Sequence, residues 1–187
     1  MVELFQFKNN FVPLEGAQVK LSLFTAHHLT DRYLGWLNDP AVVKFSNQRF
    51  LQHTRESSSS YLDSFLHTDN IFLAICLKES GQYVGTMSVY FSSAHQVADI
   101  GVMVGDRSCW GKGIGGDAWR TVLDWLMDVA RVRKVTGGTL RCNAGMVNIM
   151  INAGMKPDGV RAGQELVDGK PEDVLYFAKF NSLPKPK

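Results

Sequence analysis

Residues 98–130 read ADIGVMVGDRSCWGKGIGGDAWRTVLDWLMDVA. Three pieces follow one another in this stretch. Ile100–Val104 is a short apolar run between glycines, the pattern of a buried strand. Trp110–Gly116 is W-G-K-G-I-G-G. Ala118, Val122, Trp125, Leu126 and Val129 then recur at the spacing of one helix face. The order strand, glycine loop, helix has a chemical meaning. Glycines let several backbone N–H groups converge on one concavity with no Cβ in the way. The helix N-terminus adds partial positive charge, so the loop suits a phosphate or pyrophosphate. Without its flanks, the same loop reads equally well as a plain connection.

Two phosphate-binding patterns fail on the flanks. Gly111, Gly113 and Gly116 satisfy G-x-G-x-x-G, but a dinucleotide fold puts that loop directly after its first strand and an acid about 20 residues further on. Here Gly105–Trp110 intervene, the strand lies mid-chain, and Val135–Arg141 contains no acid. A Walker loop would need glycine at 106 and Ser or Thr at 113, where Asp106 and Gly113 stand. The third pattern is an acyl-CoA loop, Q/R-x-x-G-x-G/A between a strand and a long helix. Gly113 and Gly115 match it, with Trp110 in the place of the usual Gln or Arg. In this the sequence resembles the GNAT superfamily of acyl-CoA-dependent N-acetyltransferases.

Two further stretches carry the resemblance. Trp36–Val42, W-L-N-D-P-A-V, resembles the W-x-N/D-D-P-x-V signature of one GNAT branch. That branch includes ribosomal-protein N-terminal acetyltransferases and bacterial amino-sugar N-acetyltransferases. Asn143–Met155, NAGMVNIMINAGM, resembles a second signature, N-x-A-S-x-N-L-M/Y-x-x-x-G-F. Asn143, Asn148, Met150 and Gly154 match it; Gly145, Met146 and Met155 depart from it.

The rest of the chain gives a consistent frame. Met1–Gly16 reads as an irregular leader and Gln18–Phe24 as a strand. Thr30 can cap a helix over Asp31–Leu37 that stops at Asp39-Pro40. Lys44–Phe50 reads as a loop, and Thr54–His67 as a second helix with Tyr61, Leu62, Phe65 and Leu66 on its apolar side. Ile71–Leu77, Tyr83–Phe91 and Ala98–Val104 form an antiparallel meander with turn signals between them. After the long helix, Arg131–Lys134 is a basic cap at the helix C-terminus. Gly138–Cys142 is a strand and Asn143–Met155 a helix. Val160–Val167 and Asp173–Phe180 make a closing hairpin, and Asn181–Lys187 a frayed tail. The order argues an α+β fold with a mixed, mostly antiparallel sheet, which is also the GNAT order, in one domain over residues 1–187.

Composition bounds the function. The 187 residues are 45% hydrophobic and 20% charged, the balance of a globular protein. A net charge of +2 gives no ground for nucleic acid or an anionic membrane as partner. No apolar run approaches the roughly 20 residues needed to span a bilayer, and no signal pattern opens the chain. Cys76, Cys109 and Cys142 are an odd set without C-x-x-C spacing. Reduced cytoplasmic thiols are therefore expected, with no metal site.

The resemblance implies a site. Acetyl-CoA is the implied cosubstrate. Its arm would lie where the strand ending at Val104 and the one starting at Gly138 part. The backbone of Val102, Met103 and Val104 would pair with it as an edge strand pairs with a peptide. Gly111, Lys112, Gly113, Ile114, Gly115 and Gly116 would hold the pyrophosphate. Asn143 and Asn148 are cofactor contacts or, alternatively, a helix cap and a surface amide. Asp99 stands where the branch commonly carries an acid and is the expected base, or else a strand-end carboxylate. Backbone N–H at Met103 or Val104 is the expected oxyanion donor. Ser46, Asn47, Gln48 and Arg49 are substrate contacts or an ordinary polar loop. Met150 stands where many relatives carry a tyrosine acid, and a thioether gives no proton; His53 and His95 are the movable alternatives. The implied activity is direct acetyl transfer to a primary amine, on a small amino-sugar nucleotide or a protein N-terminus, with the S-N-Q-R run leaning to the sugar. A homodimer is allowed. A fold that binds acyl-CoA as a sensor without turnover is the alternative.

Overall fold

The structure, a computed structural model, describes residue 8 and residues 10–181. The first part of the leader and the tail beyond Asn181 lie outside the described residues. The frame is one eight-stranded sheet in the order β1-β2-β3-β4-β5-β6-β8-β7. Its strands are β1 (Leu14–Glu15), β2 (Val19–Leu23), β3 (Ile71–Leu77), β4 (Tyr83–Ser92), β5 (Val97–Val104), β6 (Lys134–Leu140), β7 (Lys156–Val167) and β8 (Lys170–Phe180). All neighbours are antiparallel except β5 and β6, which run parallel. A parallel step needs a long crossover, and the helix after the glycine loop supplies it.

Helices cover both faces. On one face lie α1 (Asp31–Leu37), α2 (Pro40–Val43) and α3 (Arg55–Asp63). They bury Phe24, Tyr33, Trp36, Leu37, Leu62 and Phe65 against Phe72 and Ala74 of β3. On the other face lie α4 (Ile114–Asp124) and α5 (Ala144–Asn152). Their Ala118, Trp119, Val122, Leu123 and Met150 pack with Leu21, Leu73, Met87, Ile100 and Val135. Each fully buried aliphatic side chain of this kind stabilises the fold by about 1.5–3 kcal/mol.

The expected elements are present, with shifted edges. Leu14–Glu15, read as leader, pairs with β2. Pro40 does not end the helical region. Asp39 caps a further turn there, its carboxylate accepting from Ala41 N at 2.9 Å, because proline suits a first helical position. The helix after Thr54 stops at Asp63 rather than His67. The strand placed at Gly138–Cys142 begins at Lys134 instead, so the last residue of the supposed basic cap is already in the sheet. The predicted face of the long helix also needs one correction. At Trp125–Val129 the winding becomes π-helical, with Ala130 N donating to Trp125 O at 2.9 Å. The wider turn rotates later residues, so Val129 is exposed and Met127 and Ala130 are buried.

Candidate acyl-CoA and acceptor site

β5 and β6 form the site by parting. They pair only at Val97↔Lys134, Ala98↔Val135 and Asp99↔Thr136, whereas β5 stays paired with β4 along its whole length. Beyond Asp99 one edge of β5 therefore faces a gap. Gly105 N donates to Val84 O at 2.9 Å. In an antiparallel ladder bonded residues alternate, so Met103, Gly101 and Asp99 direct their amides and carbonyls to β4. Ile100, Val102 and Val104 direct theirs into the gap. Of the expected backbone trio, Val102 and Val104 thus face the opening, while the Met103 backbone is engaged in the sheet and only its side chain reaches the cleft. The Val104 carbonyl accepts from Trp110 Nε1 at 2.7 Å, which leaves its N–H toward the gap.

The glycine loop lies beside the end of this gap. Gly113 has φ +81° and is the N-cap of α4, a conformation that glycine adopts at no steric cost. The first-turn amides at Ile114, Gly115 and Gly116 have no partner within the helix. Ile114 turns its side chain into the core, which fixes the loop. Gly111, Lys112 and Gly113 are exposed. Asp117 anchors the turn from below: its carboxylate accepts from Ala17 N, Gln18 N and Val19 N at 3.0, 2.7 and 3.1 Å. Gly115 lies between Val104 and Ile149; a Cβ there would come within 3.3 Å of Val104 Cγ2.

The two sides open into one cleft of about 1280 Å³. It is lined by β5 and β6 residues, by Trp110, Gly115, Trp119 and Asn143, by Ser46, Asn47 and Gln48, and by Glu165 from β7. Trp119 is buried to 1% exposure, and its indole N–H has no hydrogen-bond partner among the described residues. Tyr176 of β8 lies against Gly138, its ring carbons about 3.0 Å from where a Cβ would stand.

Asp99 sits at the last paired rung. Thr136 Oγ1 donates to its Oδ2 at 2.6 Å. Surrounding atoms strip water from the carboxyl and push its pKa up, against the Thr136 hydrogen bond, which pulls it down. A carboxylate poised above its usual range is a stronger proton acceptor. Asn143 caps α5, accepting from Met146 N at 3.3 Å, and donates to Thr139 Oγ1 at 3.1 Å; it still lines the cleft. Asn148 is exposed and lies outside the lining, since Met146 and Ile149 are the α5 residues that turn to the gap. Met150 is fully buried against Gly137 and Trp119, so its position belongs to the core. His95 accepts from Arg133 Nε at its backbone carbonyl and lies outside the lining, whereas His53 lines the cleft.

The loop residues behave differently from one another. Ser46 Oγ accepts from Gln48 N at 3.2 Å and caps a 3-10 turn at Asn47–Phe50. Arg49 is engaged with the hairpin. Its Nη2 donates to Glu165 Oε2 at 3.2 Å and to Leu166 O at 3.3 Å, and Asn47 Nδ2 donates to Glu165 Oε1 at 3.4 Å. Glu165 reaches the cleft because β7 carries a register shift between Arg161 and Glu165, pinned by Gly163 N donating to Asp173 Oδ1 at 2.8 Å. Glu165, Trp119 and Ser58 carry no sequence signal as site residues: Glu165 falls in the expected hairpin strand, Trp119 in the long helix outside its expected apolar face, and Ser58 in the expected helix after Thr54.

The Trp36–Val42 signature positions rather than contacts. Trp36 packs so closely on Gly105 that a Cβ there would lie 2.1 Å from the indole. Asn38 clamps His53, accepting from its N and donating to its O, both at 2.9 Å. Asp39 pairs with Arg107 at 3.7 Å, and Arg32 pairs with Asp106. The acceptor-side helices are thereby tied to the segment that leads into the glycine loop.

A sheet that parts beside a glycine-headed helix leaves a strand edge and the amides of a helix head open on one cleft. The chain belongs to the GNAT acetyltransferase family: the family described as Acetyltransferase (GNAT) domain matches residues 18–156, and the protein is an acyltransferase of that family. A probable N-acetyltransferase of Bacillus subtilis, YjcK, is 22% identical over 143 residues, covering 75% of this chain and 78% of that one. The same fold recurs in ribosomal-protein-S5-alanine acetyltransferase from Vibrio fischeri, with TM-score 0.76, 18% identity, and 94% and 100% of the two chains covered. It recurs also in spermidine N-acetyltransferase from Vibrio cholerae in complex with CoA and spermine, with TM-score 0.79, 13% identity, and 89% and 97% covered.

Proposed function

We propose that the protein is an acetyl-CoA-dependent N-acetyltransferase that moves the acetyl group directly to a primary amine, with a peptide or protein N-terminus favoured over an amino-sugar nucleotide. The observation that carries the reading is the parted β5–β6 edge, with free backbone groups at Val102 and Val104 beside the α4 N-terminus. The unpartnered, buried Trp119 N–H at that cleft supports a ligand bearing acceptor oxygens, which the amide-rich arm of acetyl-CoA has. Bound there, acetyl-CoA supplies an acyl thioester reactive toward an amine.

The residues then divide the work. Val102 pairs the extended arm as an added strand would, and the amides at the head of α4 hold the diphosphate with Gly111, Lys112 and Gly113 at its exposed side. Val104 N–H is the oxyanion donor in place of Met103. Asp99 takes the amine proton, directly or through water. An α-amine has a reference pKa of about 7.7–8.0 against about 10.4 for lysine, so a single carboxylate suits an N-terminus or small amine better. Tyr176, the phenol packed at the gap, takes the place of the absent helix tyrosine as proton source for the departing thiol.

The acceptor preference rests on charge. A sugar nucleotide brings a diphosphate, for which Arg49 and Lys44 are the cations of this loop; Lys44 lines the cleft and lies over the Phe45 ring. Arg49 is paired with Glu165, and Glu165 adds an anion to the lining. Free thiols at Cys76, Cys109 and Cys142 support a cytoplasmic site of action. The test is a side-by-side assay of CoA release with peptides beginning in Ser or Ala and with 4-amino-sugar nucleotides. Turnover of the sugar nucleotides alone would overturn the acceptor preference; no turnover with any amine would overturn the acetyltransferase reading.

A further inference from the structure

The acceptor side of the cleft holds polar groups that the chain itself leaves unsatisfied. Ser58 is buried to 3% exposure and its Oγ has no hydrogen-bond partner among the described residues; His53 Nε2 is buried and equally without one. Both residues line the cleft. Neither position is accidental. Asn38 holds the His53 backbone at both its N and its O. Thr54 then caps α3 in a reciprocal pair with Ser57, which fixes the first turn on which Ser58 sits. One turn on, Tyr61 OH meets Tyr90 OH at 2.6 Å, beside the β5 register position of Asp99. Ser58 thus stands on the cleft side of α3 next to the buried Leu62, with the Tyr61 hydroxyl one turn on.

A buried hydroxyl or imidazole without a partner is costly and rare in native proteins. Such groups persist where a ligand completes them. We infer that His53 and Ser58 form a subsite for a neutral hydrogen-bonding group of the acceptor, an amide or a hydroxyl close to the reacting amine. This rests on the acetyl-transfer reading above. The class follows from the groups present. A serine hydroxyl both donates and accepts, and a neutral imidazole does one or the other according to tautomer. Neither provides the fixed positive charge that a phosphate or carboxylate requires. Of the cations nearby, Lys44 lines the same cleft and lies over the Phe45 ring at 5.3 Å, and Arg49 is paired through Nη2 with Glu165.

The test is steady-state CoA release with four amines of matched length: an alanyl dipeptide amide, an amino alcohol, a plain alkylamine and a free amino acid. The dipeptide amide and the amino alcohol separate the two sources of the group. The wild-type protein is expected to favour one or both over the alkylamine by about tenfold in kcat/KM and to reject the free carboxylate. Ser58→Ala and His53→Ala should each raise KM for the favoured acceptor about 3- to 10-fold, the weight of one hydrogen bond. KM for acetyl-CoA should stay put, the alkylamine should lose less than the favoured acceptor, and Ser58→Ala should not lower Tm, since it removes a group that makes no internal bond. Equal rates for all four amines, or an equal loss on the alkylamine, would overturn the subsite. If nothing turns over, the reaction reading fails by itself. Titration of the same amines into the CoA-saturated protein then decides: binding of the amide or alcohol weakened by Ser58→Ala upholds the subsite, and no such difference overturns it.

Discussion

Replacing Trp119 with phenylalanine separates a ligand contact from a structural one, because the two roles predict losses in different measurements, affinity for the first and stability for the second. The indole N–H is buried and makes no internal hydrogen bond, so its removal breaks nothing in the free protein. An unsatisfied buried donor costs about 1–3 kcal/mol. Losing it offsets the loss of packing where the ring touches Gly137 and the core, a cavity penalty that is about 1–3 kcal/mol for a change of this size. The free protein should therefore change in stability by no more than about 2 kcal/mol, or about 4–8 °C in Tm for a chain of this length. In the complex the N–H has a partner. Its loss should weaken acetyl-CoA by one net hydrogen bond, about 0.5–1.5 kcal/mol or roughly 2- to 12-fold in Kd. Calorimetric titration with acetyl-CoA and thermal unfolding of the free protein give the two numbers. A variant that loses several kcal/mol of stability yet binds acetyl-CoA with unchanged Kd would refute the reasoning and return Trp119 to the core.

Asp99→Asn should cut kcat on the order of tenfold to a thousandfold with acetyl-CoA Kd little changed; wild-type rates across pH would remove Asp99 from the chemistry. Its raised pKa also has a sign for stability. The folded carboxyl binds its proton more tightly than the unfolded one, so folding loses stability as pH rises from the unfolded carboxyl value, about 3.9, through the raised folded value. Asp99→Asn should thus melt higher than wild type at pH 7 and lose that advantage in acid, as paired melting curves would show. Gly113→Val puts a branched side chain at φ +81° and over the diphosphate site; the rise in Tm that acetyl-CoA gives the wild type should vanish, and an intact rise would take the loop out of the site. Asp117→Ala strips three backbone N–H groups of their acceptor and should cost about 1–3 kcal/mol in urea unfolding, with no change refuting the anchor.

The local periodicities determined most of the fold. Alternation and apolar runs gave β3, β4 and β5 nearly to the residue, and Thr30, Thr54 and Asn143 are the caps their side chains suggest. Those signals are encoded within a few residues, so they survive without knowledge of neighbours. The glycine loop was legible for the same reason: a left-handed N-cap and close backbone approach are demands on single positions. What the sequence left open depends on pairs of residues far apart along the chain. That β5 and β6 separate after Asp99 is a property of two strands joined through α4, and it alone decides that the backbone groups of Val102 and Val104, not those of Met103, face the gap. The π turn at Trp125–Val129 moved Val129 out of a face that 3.6-residue spacing assigns to the core. Met150 and Asn148 matched a signature, yet the rotation of α5 buries the first and exposes the second. Arg49 looked like a free cation until a register shift in β7 carried Glu165 to it across more than a hundred residues. Ser58 and Trp119 show the same limit from the other side. A polar atom becomes informative once its neighbours are known to leave it unpaired, and only the tertiary structure brings those neighbours together.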